Sequence, residues 1–329
     1  GAAGHLVLTM TRALVARGDA VRALVLPNDP IADHLPPEAQ VFIGDVRDRT
    51  SLAAFFAHEP DARLIVIHCA GIVSIASRYE PAVYEVNVNG TKNIVDLCVE
   101  QQVQKLVYVS SVHAVPELPK GTTICEVCDF DPQSVVGLYA QTKAEATAYV
   151  LASVRERGLD ASIVHPSGIC GPGDFGNNHL TQLIRDWHDG RLTAGIQGGY
   201  DFVDVRDVAD GILRCCEHGE KGECYFLTNR YVTVPQIFDA LSELTGRRRI
   251  RTFLPLWFIR LTAPLAELYY RLLRQKPLYT SYSIHTLESN AIFCHEKAKQ
   301  ALGYEPRPFR ETLADTLQWC EEAGLFKKV

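Results

Sequence analysis

Four stretches apolar enough to be buried strands recur along the chain, with room for a helix between successive ones. They are Ala20-Val21-Arg22-Ala23-Leu24-Val25-Leu26, Leu64-Ile65-Val66-Ile67-His68-Cys69, Lys105-Leu106-Val107-Tyr108-Val109-Ser110-Ser111 and residues 160–164. Strands that are apolar almost throughout, instead of at every second residue, belong to parallel sheets covered on both faces by crossover helices. A shorter strand at residues 41–43 fits the same order. So do a helix over residues 6–17 that turns at Gly18-Asp19 and a second one that Gly158 stops after Arg157. The expected fold class is therefore α/β, with a doubly wound parallel sheet.

With 329 residues, 47% of them hydrophobic and 22% charged, the chain can bury the core of one large α/β domain and a smaller lobe. A net charge of -6 offers no electrostatic footprint for nucleic acid or an acidic membrane surface. Arg247-Arg248-Arg249 is read as a solvated turn, and no apolar run approaches the ~18 residues of a membrane span. Ten cysteines lie scattered without a disulfide framework, which points to a reducing cytoplasm. Cys125 and Cys128 form a C-x-x-C, but no second pair completes a zinc site, so they are expected to be loop thiols and no metal is expected.

The chemistry begins at Gly137-Leu138-Tyr139-Ala140-Gln141-Thr142-Lys143, where Tyr139 and Lys143 lie four residues apart at the head of a helical pattern and so share a face. A phenol titrates near pH ~10 and is a poor base at neutrality, whereas a nearby ammonium favours the phenolate. The pair is thus a candidate proton-transfer device, with Lys143 expected to lower the pKa of Tyr139.

Five further segments accompany it in order. They are Gly1-Ala2-Ala3-Gly4, Gly44-Asp45-Val46, His68-Cys69-Ala70-Gly71, Ser110-Ser111 at the end of an apolar strand, and the run from His165-Pro166-Ser167-Gly168-Ile169 to Gly173. Together with Tyr139 and Lys143, this set resembles the extended short-chain dehydrogenase/reductase family over nearly the whole chain. The resemblance implies a Rossmann-type sheet over residues 1–170, to which residues 200–228 return. Residues 171–199 and 229–329 would form a smaller, mostly helical substrate lobe. A dinucleotide loop follows a buried strand in such folds, and this sequence begins on the loop, so the first strand is expected to be missing from it.

By the same resemblance, Gly1, Gly4, His5 and Leu6 belong to the phosphate-binding turn, with Val7 in the place of its third glycine. Asp29 is the acidic residue within reach of the ribose, and no cation stands beside it, which favours NAD over NADP. Asp45 and Val46 would meet the adenine, with a helix cap as the plainer reading of Asp45 and Asp48. Ala70 and Gly71 let the cofactor cross the strand end, and Pro166, Gly168 and Ile169 form a turn at the nicotinamide carboxamide. Ser111, Tyr139 and Lys143 form the implied catalytic set. Ser111 would donate to the reacting oxygen, and Lys143 would also hold the nicotinamide ribose. His68 is read as a buried core residue, and Asn87 as orienting the catalytic strand or satisfying local backbone groups.

His113, Asn177 and Tyr200 are the candidate substrate contacts, beside a Pro-rich loop over residues 116–133. Sugar-nucleotide members of the family carry an arginine for the diphosphate where this chain has Tyr200. The aromatic segment at residues 253–273 resembles the pocket roof of the hydroxysteroid dehydrogenase and dihydroflavonol reductase branch, or is a helix packed on the core or a dimer partner. The implied activity is NAD(P)-dependent interconversion of a secondary alcohol and a ketone on a mid-sized apolar molecule. The alternatives are a sugar-nucleotide epimerase or dehydratase that retains NAD, and a non-catalytic dinucleotide-binding regulator. A small-molecule substrate and a nicotinamide dinucleotide are the expected partners, along with a possible homodimer.

Overall fold

The computed structural model describes residues 4–30, 32–59, 62–74, 79–261 and 281–327. Gly1 and the part of the aromatic segment beyond residue 261 lie outside the described residues.

The main sheet runs in the order β3 (Ile65–His68), β4 (Lys105–Val109), β5 (Ala161–Pro166) and β9 (Cys224–Leu227), all parallel. β1 (Arg22–Val25) and β2 (Gln40–Ile43) form a separate parallel pair. The central strand β4 is buried at all five positions. Leu106 and Tyr108 enter the core on one face, with Cys98, Ala144, Val150 and Ile163. Val107 and Val109 enter the core on the other face, with Met10, Val208, Ile212 and Tyr225. Each such side chain contributes about 1.5–3 kcal/mol by leaving water. This two-sided burial is why residues 106–109 read as a continuous apolar run, and the one charge in β4, Lys105 at its start, is buried and paired with Asp160 at 3.1 Å.

The faces are covered as the alternating pattern predicts. α1 (His5–Ala16) packs with α5 (Val205–His218) on one side. α2 (Gly90–Glu100) and α3 (Leu138–Arg157) lie together on the other. α3 starts after Gly137 at φ 96° and stops at Gly158 at φ 73°, both in the region that favours glycine. A single π-helical turn, Glu85–Asn89, leads into α2.

The strand predictions hold to within one or two residues, apart from the run after His165. That run is extended instead of a turn: the chain continues from β5 through Ser167 into β6 (Gly168–Cys170). β6 pairs with β8 (Gly199–Asp204), and β8 pairs with β10 (Arg230–Thr233) in a second, three-stranded sheet. β7 (Gly195–Ile196) and β11 (Phe253–Leu254) form a short parallel pair. α4 (His179–His188) and α6 (Val234–Thr245) share an apolar cluster with α8 (Phe309–Glu322), and α7 (Glu296–Leu302) packs on α5.

An ion network ties this last part of the chain back to the main sheet. Arg206 lies 2.7 Å from both Asp204 and Asp315. Arg307 donates to Asp207 from its backbone N–H at 2.8 Å and from its side chain at 2.9 Å. Asp204 and Asp207 are both buried, so these cations lower the cost of holding two carboxylates away from water.

Candidate active site

The end of β4 presents two serines with opposite fates. Ser110 turns inward, and its hydroxyl shares a 2.7 Å hydrogen bond with the buried Thr147 hydroxyl of α3. Ser111 is extended (φ -162°, ψ 153°), and its hydroxyl acts to lower the pKa of Tyr139 on the first turn of α3. That hydroxyl also accepts from the backbone N–H of His113 at 3.3 Å. Of the two serines, Ser111 is the one whose hydroxyl acts on the Tyr139 phenol.

Tyr139 is buried. Burial pushes its phenol up from the ordinary value, and the Ser111 hydroxyl works in the opposite direction. Lys143 points beneath the strand end, where it donates to the Val109 carbonyl at 2.9 Å with the Tyr108 ring 5.1 Å away. Burial pulls its ammonium down to about 8. The two residues share a helix face, but the longer side chain reaches a backbone carbonyl, and the effects acting on Tyr139 are burial and Ser111.

His165 supports this strand end. The β4–β5 ladder includes Ser110 N–H to the Val164 carbonyl at 2.8 Å, and one residue further His165 Nδ1 lies 2.9 Å from the Ser111 carbonyl. A carbonyl only accepts, so Nδ1 carries the proton. Nε2 is then a bare acceptor, buried with no hydrogen-bond partner among the described residues. Phe130 stacks on the ring at 5.3 Å and 3°. Burial lowers the pKa of His165 to about 4, which keeps it neutral. His68 is a core residue as expected, bonded to Thr91 at 2.9 Å and lowered by burial to about 3.

Asn87 fastens the loop that follows β3. Its side-chain carbonyl accepts from Ile72 N–H at 2.7 Å, and its amide donates to the Ile72 carbonyl at 3.1 Å and to Thr142 Oγ1 at 3.0 Å. It therefore joins that loop to α3, and Thr142 was not singled out in the sequence. Phe130 was not singled out either: nothing in a Pro-rich loop signals that its aromatic residue will stack on a strand-end histidine.

Whether the site suits a dinucleotide is tested by its backbone. Ala70 is half-buried and Gly71 exposed, and a Cβ at Gly71 would sit 3.3 Å from Asn87 Oδ1 and 3.4 Å from Lys143 Nζ. The loop is therefore bare above a buried ammonium. Gly4 caps α1 without a side-chain bond, which leaves the first-turn N–H groups at His5 and Leu6 for an anion. His5 Nε2 is held 3.0 Å from the Pro172 carbonyl, and burial lowers its pKa. These residues fit a dinucleotide.

Other candidates are engaged elsewhere. Asp45 binds Arg47 through both carboxylate oxygens, at 3.1 and 3.0 Å from Nε, and Arg47 holds its pKa below the usual range. Asp48, not Asp45, caps the next turn by accepting from Thr50 N–H at 3.0 Å. Val46 is packed against Gly90, where a Cβ would come within 2.6 Å of it, so it lines the core instead of an open adenine pocket. Gly168 is small for the sake of the second sheet: a Cβ there would meet the Asp201 carbonyl at 2.9 Å and Tyr200 Cδ1 at 3.0 Å. Pro166 ends β5 and Ile169 lies in β6. Asp29 follows β1 in a turn, its N–H 3.3 Å from the Leu26 carbonyl. Asn177 accepts from Arg185 at 2.8 Å and donates to Gln182, so its side chain is used within its own segment.

His113 and Tyr200 do come together with Tyr139. The Tyr200 hydroxyl lies 2.8 Å from His113 Nε2, the two rings stack at 5.6 Å, and His113 meets Tyr139 edge-on at 6.0 Å. Burial lowers His113 to about 4, so this pair is uncharged at neutrality. Behind it lies a cavity of about 20 Å³, walled mainly by Val112, Val115, Ile124, Ala140 and Phe293, with room for about one water.

All ten cysteines are free thiols, Cys125 and Cys128 exposed among them. Among the described residues no helix is long and apolar enough to cross a membrane.

The NAD dependent epimerase/dehydratase family matches residues 1–227. Sterol demethylase protein B of Methylococcus capsulatus is 34% identical, over 99% of this chain and 98% of that protein. 3beta-hydroxysteroid-dehydrogenase/decarboxylase isoform 1 of Arabidopsis thaliana is 30% identical, over 84% of this chain and 66% of the other. The crystal structure of gox2253 superposes with a TM-score of 0.83 at 28% identity, over 99% of this chain and 98% of that one. The chain belongs to the NAD dependent epimerase/dehydratase family, within the extended short-chain dehydrogenases/reductases.

Proposed function

We propose that the chain is an NAD(P)-dependent oxidoreductase that interconverts a secondary alcohol and a ketone on a mid-sized apolar molecule of the sterol or flavonoid kind. The observation that carries this reading is the placement of Tyr139 against an uncharged aromatic wall of His113 and Tyr200, with the Ser111 hydroxyl acting on its phenol. The two hydroxyls converge where a carbonyl oxygen gathers negative charge, so Ser111 donates to it while Tyr139 delivers or takes the proton. Lys143 would hold the nicotinamide ribose from below Gly71, and the α1 N-terminus the pyrophosphate. A nicotinamide bound there supplies the hydride acceptor or donor. NAD is favoured, because Leu26-Pro27-Asn28-Asp29 offers an acid and no cation for a 2′-phosphate.

The wall beside Tyr139 holds a phenol and a neutral imidazole where a sugar diphosphate would need a bidentate cation. Relatives with sterol and hydroxysteroid names point the same way. We further infer a cytoplasmic homodimer, with residues 1–170 and 200–228 binding the dinucleotide and residues 171–199 and 229–329 the substrate.

The test compares wild type with Tyr139→Phe on a panel of 3β-hydroxysteroids and flavanonols, following reduced-nicotinamide absorbance. Cofactor binding is measured separately by fluorescence quenching. Wild type is expected to turn over an apolar alcohol, and the variant to bind cofactor normally and lose most turnover, on the order of 10²-fold or more. Undiminished turnover by the variant, or activity only on nucleotide sugars with no net absorbance change, overturns the proposal.

A further inference from the structure

The loop over residues 116–133 is stitched to the segment before α7 by a short run of parallel strand pairing. Ile124 bridges Phe293, with Ile124 N–H donating to the Ile292 carbonyl at 2.8 Å and Cys294 N–H to the Ile124 carbonyl at 2.9 Å. Asn290 adds two clasps, donating to the Pro119 carbonyl at 3.1 Å and to the Thr122 carbonyl at 2.5 Å. In parallel pairing the next residue on each strand is also opposed, and side chains alternate between faces. The register that turns Ile124 and Phe293 toward the small cavity therefore sets Cys125 opposite Cys294 on the other face.

We propose that Cys125 and Cys294 form a disulfide when the protein meets a small-molecule disulfide such as oxidised glutathione, closing a covalent clasp over the wall of the site. Neighbouring strands lie about 4.7–4.9 Å apart, which is within the Cα separation that a disulfide spans. The two thiols also interact in the reduced protein, where burial and then Cys294 hold the Cys125 thiol above its usual range. Cys125 is exposed and Cys294 half-buried, which fixes the order of events. Cys125 thiolate attacks glutathione disulfide, its S–S bond breaks, and one glutathione thiolate leaves. Cys294 thiolate then attacks the Cys125 sulfur of the mixed disulfide and expels the second glutathione. The two cysteines are oxidised, the glutathione disulfide is reduced, and both protons end on the released thiols.

The competing partner is Cys128, three residues along. The pairing with Phe293 gives Cys125 a partner from the opposite strand, and nothing comparable aligns it with Cys128. The bond itself does not depend on the proposed reaction. Its effect on turnover does, since Ile124 and Phe293 line the cavity with His113 and Tyr200.

The test incubates the full chain with oxidised glutathione at pH ~8, near the ordinary thiol range, and maps peptides without reduction. The expected result is the loss of two of the ten free thiols and one linked peptide pair carrying Cys125 and Cys294, both reversed by dithiothreitol. In Cys294→Ser the reaction is expected to stop one step early, with glutathione retained on Cys125. A Cys125–Cys128 link in wild type, or stable glutathionylation of Cys125 with Cys294 still free, overturns the proposal. These outcomes are read by mass and leave the assignment of the reaction to the turnover assay.

Discussion

Lys143→Met removes a charge that the fold holds at a cost, and the size of that cost follows from its burial. The side chain is 4% exposed, and burial lowers its pKa from 10.5 to about 8. At about 1.4 kcal/mol per pH unit, keeping the ammonium in the native state costs about 3 kcal/mol below pH ~8. The native state sheds this proton before the unfolded chain does, so between those two values the unfolded chain binds more protons and stability rises with pH. Below the window the penalty is constant, and above it the penalty is gone. Methionine keeps the apolar stem without the proton. It also gives up the 2.9 Å bond to the Val109 carbonyl, about 1.5–3 kcal/mol for a charged donor, so the two proteins should be close in stability at neutrality. The signal lies in the difference between them. Urea unfolding of both at intervals from pH 7.5 to 10.5 should show wild type gaining about 3 kcal/mol on the variant, and groups common to both cancel. Parallel curves would mean that Lys143 is solvated. A wild type that loses ground as pH rises would mean that an anion stabilises the ammonium, with the Cys69 thiolate the candidate. Either result refutes the burial argument.

Two further perturbations probe the scaffold. Asn87→Ala strands the Ile72 backbone N–H and carbonyl and takes one donor from the Thr142 hydroxyl, which keeps its bond to the Tyr139 carbonyl, and should cost about 1–3 kcal/mol in urea unfolding, more than a surface Asn→Ala. His165→Leu fills most of the ring's volume but frees the Ser111 carbonyl of one donor. It should cost about 1–2 kcal/mol at pH 7 and lower kcat more than it raises the cofactor KM. The same variant should be less acid-labile. His165 titrates near 4 when folded and 6.5 when unfolded, so wild type loses stability as pH falls through that window and the variant lacks this contribution.

The sequence makes the sheet legible because burial on both faces leaves little room for polar residues, so β4 and β5 stand out as apolar runs. It makes Ser111 and Tyr139 legible because a strand-end hydroxyl and a helix-start phenol occupy fixed places in this topology. What escaped was decided by partners close in space or only two residues away. Arg47 captures Asp45 across a turn, which no pattern distinguishes from an adenine contact. Gly168 reads as room for a ligand, yet its neighbours are Tyr200 and Phe202 from a strand thirty residues on, so sheet pairing is the reason it is small. Lys143 shares a face with Tyr139, but helical spacing says nothing of where a four-carbon stem ends. Asn177, a candidate substrate contact, has its side chain bonded to Arg185 and Gln182 of α4, which no local pattern signals.

The ion network around Asp204 and Asp207 bears on how the molecule can be cut. The family match ends at residue 227, which invites a minimal fragment ending at β9. Such a fragment would keep both buried acids and discard Arg307, which gives Asp207 two of its hydrogen bonds, and Asp315, which shares Arg206. It would also discard Leu302 and Tyr304, which fill the core beneath α5. The last third of the chain thus supplies the partners of the two buried acids at the start of α5, and trimming it would unseat the part it follows.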